Sequence, residues 1–142
     1  MQNKIKGNLG EAVAENFLKS KGYVFVERNY KCKGSEIDLI FIDPVKRQKK
    51  EIIQDINQGT IKKELKKSLF NLLQNVLVFV EVKFRTNNKF GEAFESVDVK
   101  KQQHIIRGAH AFLKENKLEN NNIRFDIISI DGDNITHIKQ AF

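Results

Sequence analysis

Glu81 and Lys83 lie two residues apart in the segment VFVEVKFR, and their types and spacing suit chemistry. In a β-strand, residues i and i+2 share a face, so this pair projects together and Val82 projects to the opposite side. A lysine beside a carboxylate can help to remove a proton from water, or stabilise negative charge that develops on a phosphate. The pair therefore indicates a hydrolytic element. An E-x-K pair is also common as solubilising charge on an exposed sheet face, and the tripeptide alone favours that simpler reading.

Asp38, in the segment SEIDLIFI, is the carboxylate that can join this pair. If a strand over 35–42 pairs antiparallel with one over 76–84, Asp38 comes to lie beside Glu81 on the same face. Two close carboxylates repel each other, and their burial is costly unless a cation or hydrogen bonds compensate. Mg²⁺ binds one or two carboxylates, keeps several waters and leaves room for a substrate phosphate. The pattern is therefore suited to hydrolysis of a phosphodiester.

Helices and strands at particular places must position these residues. Apolar side chains recur at helical spacing over residues 5–20, and Gly22 follows where a helix end favours glycine. Alternating patterns predict strands over 23–30, 35–42 and 76–84. The third of these strands is apolar on both faces in its first half, which predicts a central place in the sheet. In the second strand, alternation places two sets on opposite faces: Ile37, Leu39 and Phe41 on one, and Glu36, Asp38 and Ile40 on the other.

The C-terminal part of the chain predicts a second helix and a hairpin. Asp98 is a suitable N-cap for a helix that ends near Lys117. The inner side of that helix is expected to carry Val99, Gln102, Ile105, Ile106, Ala109, Phe112 and Leu113. Two alternating segments then flank DGDN, whose Asp-Gly pair indicates a hairpin turn. The order α-β-β-insert-β-α-β-β predicts a mixed α/β sheet with helices packed on it.

The 142 residues fit a single domain, residues 1–142, which contains an insert at 44–75. The insert begins at the only proline, Pro44, and ends in a segment with leucines at helical spacing beside paired lysines. This pattern indicates a basic amphipathic helix. Such a helix can cover its own sheet, join two protomers, lie on an anionic membrane or flank DNA, and packing on its own domain or a second subunit is the ordinary outcome.

Charge and composition limit which partners and which cellular compartment are expected. The net charge of +7 is uneven, because residues 1–34 carry seven Lys or Arg against three Asp or Glu, and residues 44–75 carry eight against three. Such an excess suits a polyanion, most often nucleic acid, although many basic proteins bind none. The single cysteine, Cys32, excludes an internal disulfide, and no apolar run has the length of a membrane span. We therefore expect a soluble, cytoplasmic protein with no membrane partner.

Five segments occur together and in order: GNLGE, GSEIDLI, VFVEVKFR, RFDII and the terminal AF. In this combination the chain resembles the YraN family of small bacterial proteins over its whole length except the insert. That family belongs to the PD-(D/E)xK nuclease superfamily and looks most like the archaeal Holliday-junction resolvases within it. The resemblance implies a restriction endonuclease-like fold, a mixed β-sheet flanked by helices, with a helical insertion here between the second and third strands.

The resemblance also implies roles for single residues. Asp38 and Glu81 match the metal-binding acids, helped by the Val82 carbonyl, and Lys83 matches the catalytic lysine. Glu11, on helix one, matches the glutamate that completes such sites in resolvase-like nucleases. The implied function is that of an Mg²⁺- or Mn²⁺-dependent endonuclease that acts on DNA, with branched DNA as a candidate substrate and a homodimer as the expected assembly. The alternative is a catalytically inactive nucleic-acid-binding module on the same fold.

Two further residues are candidates for supporting these ligands. Glu36 is expected on the face of Asp38, and a salt bridge with a nearby Lys or Arg explains it equally well. Gln102 stands where relatives often place a polar residue near the site, and a solvated first helical turn explains it as well. The sequence departs from the family pattern at Ser35, where glycine is usual, and at Phe84, where a hydroxyl residue often follows the lysine.

The remaining polar and glycine residues favour structural roles. Arg124 and Asp126, two apart on a strand, are expected to pair with each other. Gly7 and Gly10 would let a strand or DNA approach helix one closely. The three histidines show no metal-ligand spacing and are expected to be ordinary surface or core residues: His104, His110 and His137.

Overall fold

The fold is described by a computed structural model that covers residues 2–43, 76–85 and 97–142, with the backbone alone for residues 2–6. The described elements are α1 (Gln2–Ser20), β1 (Val24–Cys32), β2 (Ser35–Asp43), β3 (Val76–Arg85), α2 (Val99–Asn116), β4 (Asn122–Asp131) and β5 (Asn134–Ile138). Their order confirms the predicted mixed α/β class. The insert at 44–75, with its predicted helix, lies outside the described residues. No helix within the described ranges is long and apolar enough to cross a membrane.

The five described strands form one mixed sheet whose spatial order follows the chain. β1, β2 and β3 are antiparallel neighbours, β3 and β4 are parallel, and β4 and β5 are antiparallel. A parallel pair needs a crossover connection, and α2 lies in this one. β3 occupies the middle of the sheet, as its apolar first half predicts.

Caps and turns end the elements where the sequence indicates. The Asp98 carboxylate accepts a hydrogen bond from the backbone N–H of Lys101 at 2.8 Å and caps the N-terminus of α2. Lys117 ends that helix in a left-handed conformation, with φ of 56°. Gly132 adopts φ of +57° in the turn between β4 and β5, a conformation that glycine accepts without strain. These contacts confirm the predicted N-cap and hairpin.

The two helices pack on opposite faces of the sheet and bury two apolar layers. Against α1 lie Tyr23, Leu39, Phe41, Val78, Val80, Ile128 and Ile130. Against α2 lie Val24, Tyr30, Ile37, Ile40, Ile42, Leu77, Phe79 and Ile127. The sheet is therefore buried on both faces, which explains the continuous apolar run at the start of β3.

Two details of the predicted packing are wrong. Ile37 lies in the α2 layer and Leu39 in the α1 layer, so these residues do not share a face. The alternation of β2 breaks at Asp38, whose side chain accepts a hydrogen bond from the backbone of β3. Val99, predicted on the inner side of α2, is 67% exposed because the helix turns its first residue away from the sheet.

Gly10 is a point of close approach between α1 and β3. A Cβ atom added at Gly10 would lie 3.2 Å from the Cβ of Phe84. Gly7 has open space instead, since no described atom would lie within 4 Å of its added Cβ. The predicted close approach of a strand is therefore confirmed at Gly10, whereas no described strand comes this close at Gly7.

This difference predicts opposite effects of substitution at the two glycines. We expect Gly7→Ala to raise the free energy of unfolding by up to about 1 kcal/mol, because alanine favours the helix and nothing obstructs it. We expect Gly10→Val to lower it by about 1–3 kcal/mol, because the branched side chain overlaps the Phe84 ring. Urea unfolding measures both changes. A Gly10→Val protein as stable as the wild type would contradict the close approach.

Candidate active site

The sheet forks at the position of Asp38 and Glu81. β2 and β3 pair as far as Leu39 and Val80, and beyond those residues each strand continues with its outer neighbour, β1 or β4. The register places Asp38 opposite Glu81 immediately past the last pair. The fork thus opens a gap between the two carboxyl-bearing positions that the sequence predicted to meet.

The Asp38 side chain reaches across this fork. Its Oδ2 accepts a hydrogen bond from the backbone N–H of Val82 at 2.7 Å, in place of a backbone ladder bond. Burial, together with the negative charge of Glu81, raises the pKa of Asp38 to about 7, although the Val82 hydrogen bond opposes the shift. Asp38 is therefore a carboxylate whose ionised form needs a compensating positive charge.

Glu81 is 4% exposed and lies between two lysines. The Lys83 ammonium is 3.1 Å from Glu81 Oε1, so the pair shares the α2 side of the sheet as the strand periodicity predicts. The Lys101 ammonium, from the first turn of α2, is 3.2 Å from Glu81 Oε2. That second contact is an ion pair without hydrogen-bond geometry, since Glu81 Oε2 is buried and none of the described residues hydrogen-bonds to it.

Glu11 enters the same region from α1. Its Oε2 is also buried and has no hydrogen-bond partner in the part of the chain that the structure describes. Its negative charge is one of the influences that raise the pKa of Asp38, after burial and the larger influence of Glu81, so the carboxylates interact. Gly10, one residue earlier, packs on Phe84 and holds this part of α1 against β3. The fold therefore brings Asp38, Glu81 and Lys83 together and places Glu11 where its charge acts on Asp38.

The donor atoms of this region suit a hard divalent cation. Within the described ranges, no three His, Cys, Asp or Glu side chains are arranged as a metal-binding group. Mg²⁺ does not require such a group, because it binds through one or two carboxylates and keeps several waters. The unpartnered oxygens of Glu11 and Glu81 are groups that a cation or its bound waters would satisfy. The residues present therefore fit Mg²⁺ or Mn²⁺.

The other predicted site residues make different contacts. The exposed Glu36 carboxylate is 3.3 Å from the Lys31 ammonium. Gln102 donates a side-chain hydrogen bond to the carbonyl of Val97 at 3.0 Å, at the N-terminus of α2. Val82 contributes its N–H group to Asp38. The roles of Glu36 and Gln102 in supporting ligands, and of the Val82 carbonyl as a ligand, stay predictions.

Sequence reasoning missed Lys101 as a partner of Glu81. The residue is visible as the third after the N-cap, Asp98. Helical spacing alone does not tell which residue of the first turn faces a strand end, because that depends on how the helix is rotated and placed on the sheet. The one feature of the sequence that could have indicated this contact is a basic residue near the start of a helix that the topology places over β2 and β3.

A second polar cluster lies on the α1 side of β4. Arg124 binds Asp126 with two hydrogen bonds of 2.8 Å, which confirms the predicted pair. Asp126 also accepts a 3.0 Å hydrogen bond from the Gln140 N–H, and one of its oxygens is 2.8 Å from His137 Nε2. Burial alone would raise the pKa of Asp126, but the hydrogen bonds from His137, Arg124 and the Gln140 N–H outweigh burial and lower it.

Comparison with known proteins identifies relatives along nearly the whole chain. A family model described as "Uncharacterised protein family UPF0102" matches residues 10–130. A UPF0102 protein of Clostridioides difficile (strain 630) is 37% identical over 144 residues, which cover 100% of both chains. One of Marinomonas sp. (strain MWYL1) is 36% identical over 98% of this chain and 89% of its own. One of Caldanaerobacter subterraneus subsp. tengcongensis is 32% identical over 100% of this chain and 98% of its own. The matched range contains all of the residues gathered at the fork.

Proposed function

The chain belongs to the UPF0102 family, and we propose that it is a metal-dependent nuclease that hydrolyses phosphodiester bonds of DNA. The observation that carries the proposal is the fork, where a buried Glu81 lies opposite Asp38 and pairs with Lys83. Carboxylates and a lysine arranged in this way serve metal-assisted hydrolysis of phosphate esters. The net charge of +7 favours the polyanionic substrate.

The proposal also covers the superfamily to which the chain is assigned and the kind of DNA on which it acts. The order of elements and the forked mixed sheet support assignment to the restriction endonuclease-like fold of the PD-(D/E)xK superfamily. The likeness of sequence motifs to archaeal Holliday-junction resolvases favours branched DNA as the substrate and a homodimer as the assembly. We place the protein in the cytoplasm, where a single unpaired cysteine is ordinary.

The proposed chemistry assigns a role to each of the gathered residues. Asp38 and Glu81 would hold Mg²⁺ or Mn²⁺, with the Val82 carbonyl as a further ligand. The bound ion supplies a Lewis acid and lowers the pKa of a coordinated water. The Lys83 ammonium, held at 3.1 Å from Glu81, is placed to donate to a water or to a phosphate oxygen. Glu11 Oε2, which has no hydrogen-bond partner in the described ranges, could accept a hydrogen bond from such a water.

One observation favours a second candidate, a nucleic-acid-binding module without nuclease activity. Lys83 and Lys101 both pair with Glu81, so two ammonium groups already oppose the charge of this carboxylate. A site that is neutralised by its own lysines has less need of a metal. The raised pKa of Asp38 and the two unpartnered carboxylate oxygens weigh against this candidate, because they leave the region short of positive charge and donors.

A cleavage assay separates the two candidates. Wild-type protein is incubated with linear, flapped and four-way DNA in Mg²⁺ or Mn²⁺, and in EDTA. The nuclease proposal expects cutting of at least one substrate with metal and none in EDTA. If the protein binds these substrates but cuts none of them with either metal, the binding module is the correct function.

Calorimetric titration with Mn²⁺ tests the metal site without relying on activity. We expect the wild type to bind Mn²⁺ and Asp38→Asn to bind it at least about tenfold more weakly, because a neutral amide replaces a charged ligand. Asp133, exposed in the turn between β4 and β5, provides the control variant Asp133→Asn, which should bind as the wild type does. Equal affinity of all three proteins would show that Asp38 is not a ligand.

A further inference from the structure

A pocket of about 360 Å³ lies between the β1–β2 turn and α2, and it shares a residue with the fork. Its walls include Lys31, Ser35 and Glu36 from the strands, and Lys101 and His104 from α2. Lys101 is the shared residue, because its ammonium is also 3.2 Å from Glu81 Oε2. The pocket and the carboxylate site are therefore neighbours joined by one lysine.

The charged groups around this pocket favour an anion. Two lysines and a histidine face one carboxylate, that of Glu36. Glu36 is half-exposed and its 3.3 Å pair with Lys31 lies at the surface, where such pairs are weak and easily rearranged. Lys31 is therefore available to a stronger anionic partner. A phosphate group, which accepts several hydrogen bonds from lysine and histidine donors, has the matching chemistry.

Ser35 gives an independent indication of a ligand. Its side chain lines the pocket, and its Oγ is buried without a hydrogen-bond partner among the described residues. Leaving a buried hydroxyl unpaired is unfavourable, so such groups are rare in folded proteins and call for an explanation. Close packing of Gly108 against Ser35 and Ile37 fixes this part of β2 against α2. A phosphate oxygen in the pocket would give the hydroxyl the acceptor that it lacks within the described part of the chain.

We propose that this pocket binds a backbone phosphate of the nucleic acid, next to the phosphodiester bond that lies at the fork. The inference rests on the proposed function and adds a second phosphate-binding position to it. Lys31, Ser35 and His104 hold one phosphate, while the neighbouring phosphate of the same strand faces the carboxylates. Lys101 lies between the two positions and contacts both. The pocket thus fixes the register of the nucleic acid strand on the enzyme.

The salt dependence of DNA binding in EDTA tests Lys31 and His104, the lysine and the histidine that line only the pocket. The logarithm of the binding constant falls linearly with the logarithm of the salt concentration, by about 0.9 for each phosphate that the protein neutralises. Lys31→Gln should therefore make this slope less steep by about 0.9. His104→Asn should weaken binding at a fixed salt concentration. The matched controls are Lys114→Gln and His110→Asn, both exposed on α2 and outside the pocket wall. They should bind as the wild type does, since Lys114 is about 20 Å along the helix from Lys101.

Ser35→Ala separates a binding role from a structural one. We expect the thermal midpoint to stay the same or rise, because the variant removes an unpaired buried hydroxyl. We expect the affinity for DNA to fall by about tenfold, which corresponds to the loss of a hydrogen bond to a charged phosphate. A structural role of Ser35 would give a lower thermal midpoint and an unchanged affinity, and this result would overturn the proposal.

The remaining outcomes distinguish this inference from the nuclease proposal. If the wild type cuts DNA but Lys31→Gln and Ser35→Ala bind it as the wild type does, the pocket inference alone is wrong. If the wild type cuts nothing but these variants bind more weakly than their controls, the pocket inference holds and the nuclease proposal fails. If the variants bind DNA normally but lose a thermal stabilisation by inorganic phosphate that the wild type shows, the pocket serves a small phosphate ligand and the inference is overturned. Failure of the wild type to bind DNA also overturns it.

Discussion

Glu81→Gln is expected to lower metal-dependent cleavage of DNA by about a thousandfold or more. A bound metal supplies several kcal/mol of transition-state stabilisation, and each 1.4 kcal/mol corresponds to a factor of about ten in rate. Glutamine keeps the size of the side chain, so the packing at the end of β3 changes little. The variant removes the negative charge that pairs with Lys83 and that the proposed divalent ion would require.

The same substitution should leave DNA binding intact, or strengthen it, when the metal is removed with EDTA. Glu81 is opposed by two lysines, at 3.1 and 3.2 Å, and its replacement removes the carboxylate that both ammonium groups contact. The net charge of the site then becomes more positive by one unit, which favours the phosphate backbone. Loss of cleavage with undiminished binding is therefore the expected signature of a catalytic carboxylate, and filter binding in EDTA beside a gel assay in Mn²⁺ measures it.

Glu119→Gln is the matched control, because Glu119 is exposed and lies in the turn after α2. It should cut and bind as the wild type does. Cleavage by Glu81→Gln at the wild-type rate would contradict the assignment of the site to the fork. A variant that has lost both cleavage and its cooperative unfolding transition would show only that Glu81 supports the fold, and Lys83→Met, which alters a more exposed side chain, would then replace it in the assay.

The fold class followed from local patterns because each pattern had a single physical meaning. Alternation marked the strands, helical spacing marked α1 and α2, and the Asp-Gly turn marked the last hairpin. The two sides of β2 were harder to predict, because alternation assumes an unbroken ladder. The ladder with β3 ends at Asp38, whose side chain takes the Val82 N–H, and at this point Ile37 and Leu39 lie in different layers. The amino-acid sequence alone does not reveal such a break.

The candidate site was predictable only as far as strand positions determine it. Residues two apart on one strand share a face whatever the rest of the fold does, so the pairing of Glu81 with Lys83 needed no tertiary knowledge. The antiparallel register then placed Asp38 beside them. Lys101 and Ser35 could not be assigned in this way, because their place depends on how α2 is rotated and how closely Gly108 lets it approach β2. Helix placement is decided by packing of the whole core rather than by local spacing.

Asp126→Asn is expected to lower the free energy of unfolding by about 3–5 kcal/mol, the usual cost of breaking a buried ion pair from one side. Asp126 is fully buried and accepts two 2.8 Å hydrogen bonds from Arg124 and one of 3.0 Å from the Gln140 N–H. An asparagine keeps the volume but loses the charge, and it presents an NH₂ group to donors on every side. Urea unfolding at pH 7 measures the loss, and Asp133→Asn, in the exposed turn between β4 and β5, is the control with no expected change.

The pH dependence of this loss identifies the charge as its cause. Because the folded protein lowers the pKa of Asp126, the ionised carboxylate stabilises the fold fully above the unfolded-state pKa of about 3.9 and progressively less as the pH falls through the lower folded-state pKa. The difference in stability between wild type and Asp126→Asn should therefore shrink as the pH falls below about 4. A difference that stays the same down to pH 3 would show that shape rather than charge at Asp126 holds β4 against Gln140 and the C-terminal residues.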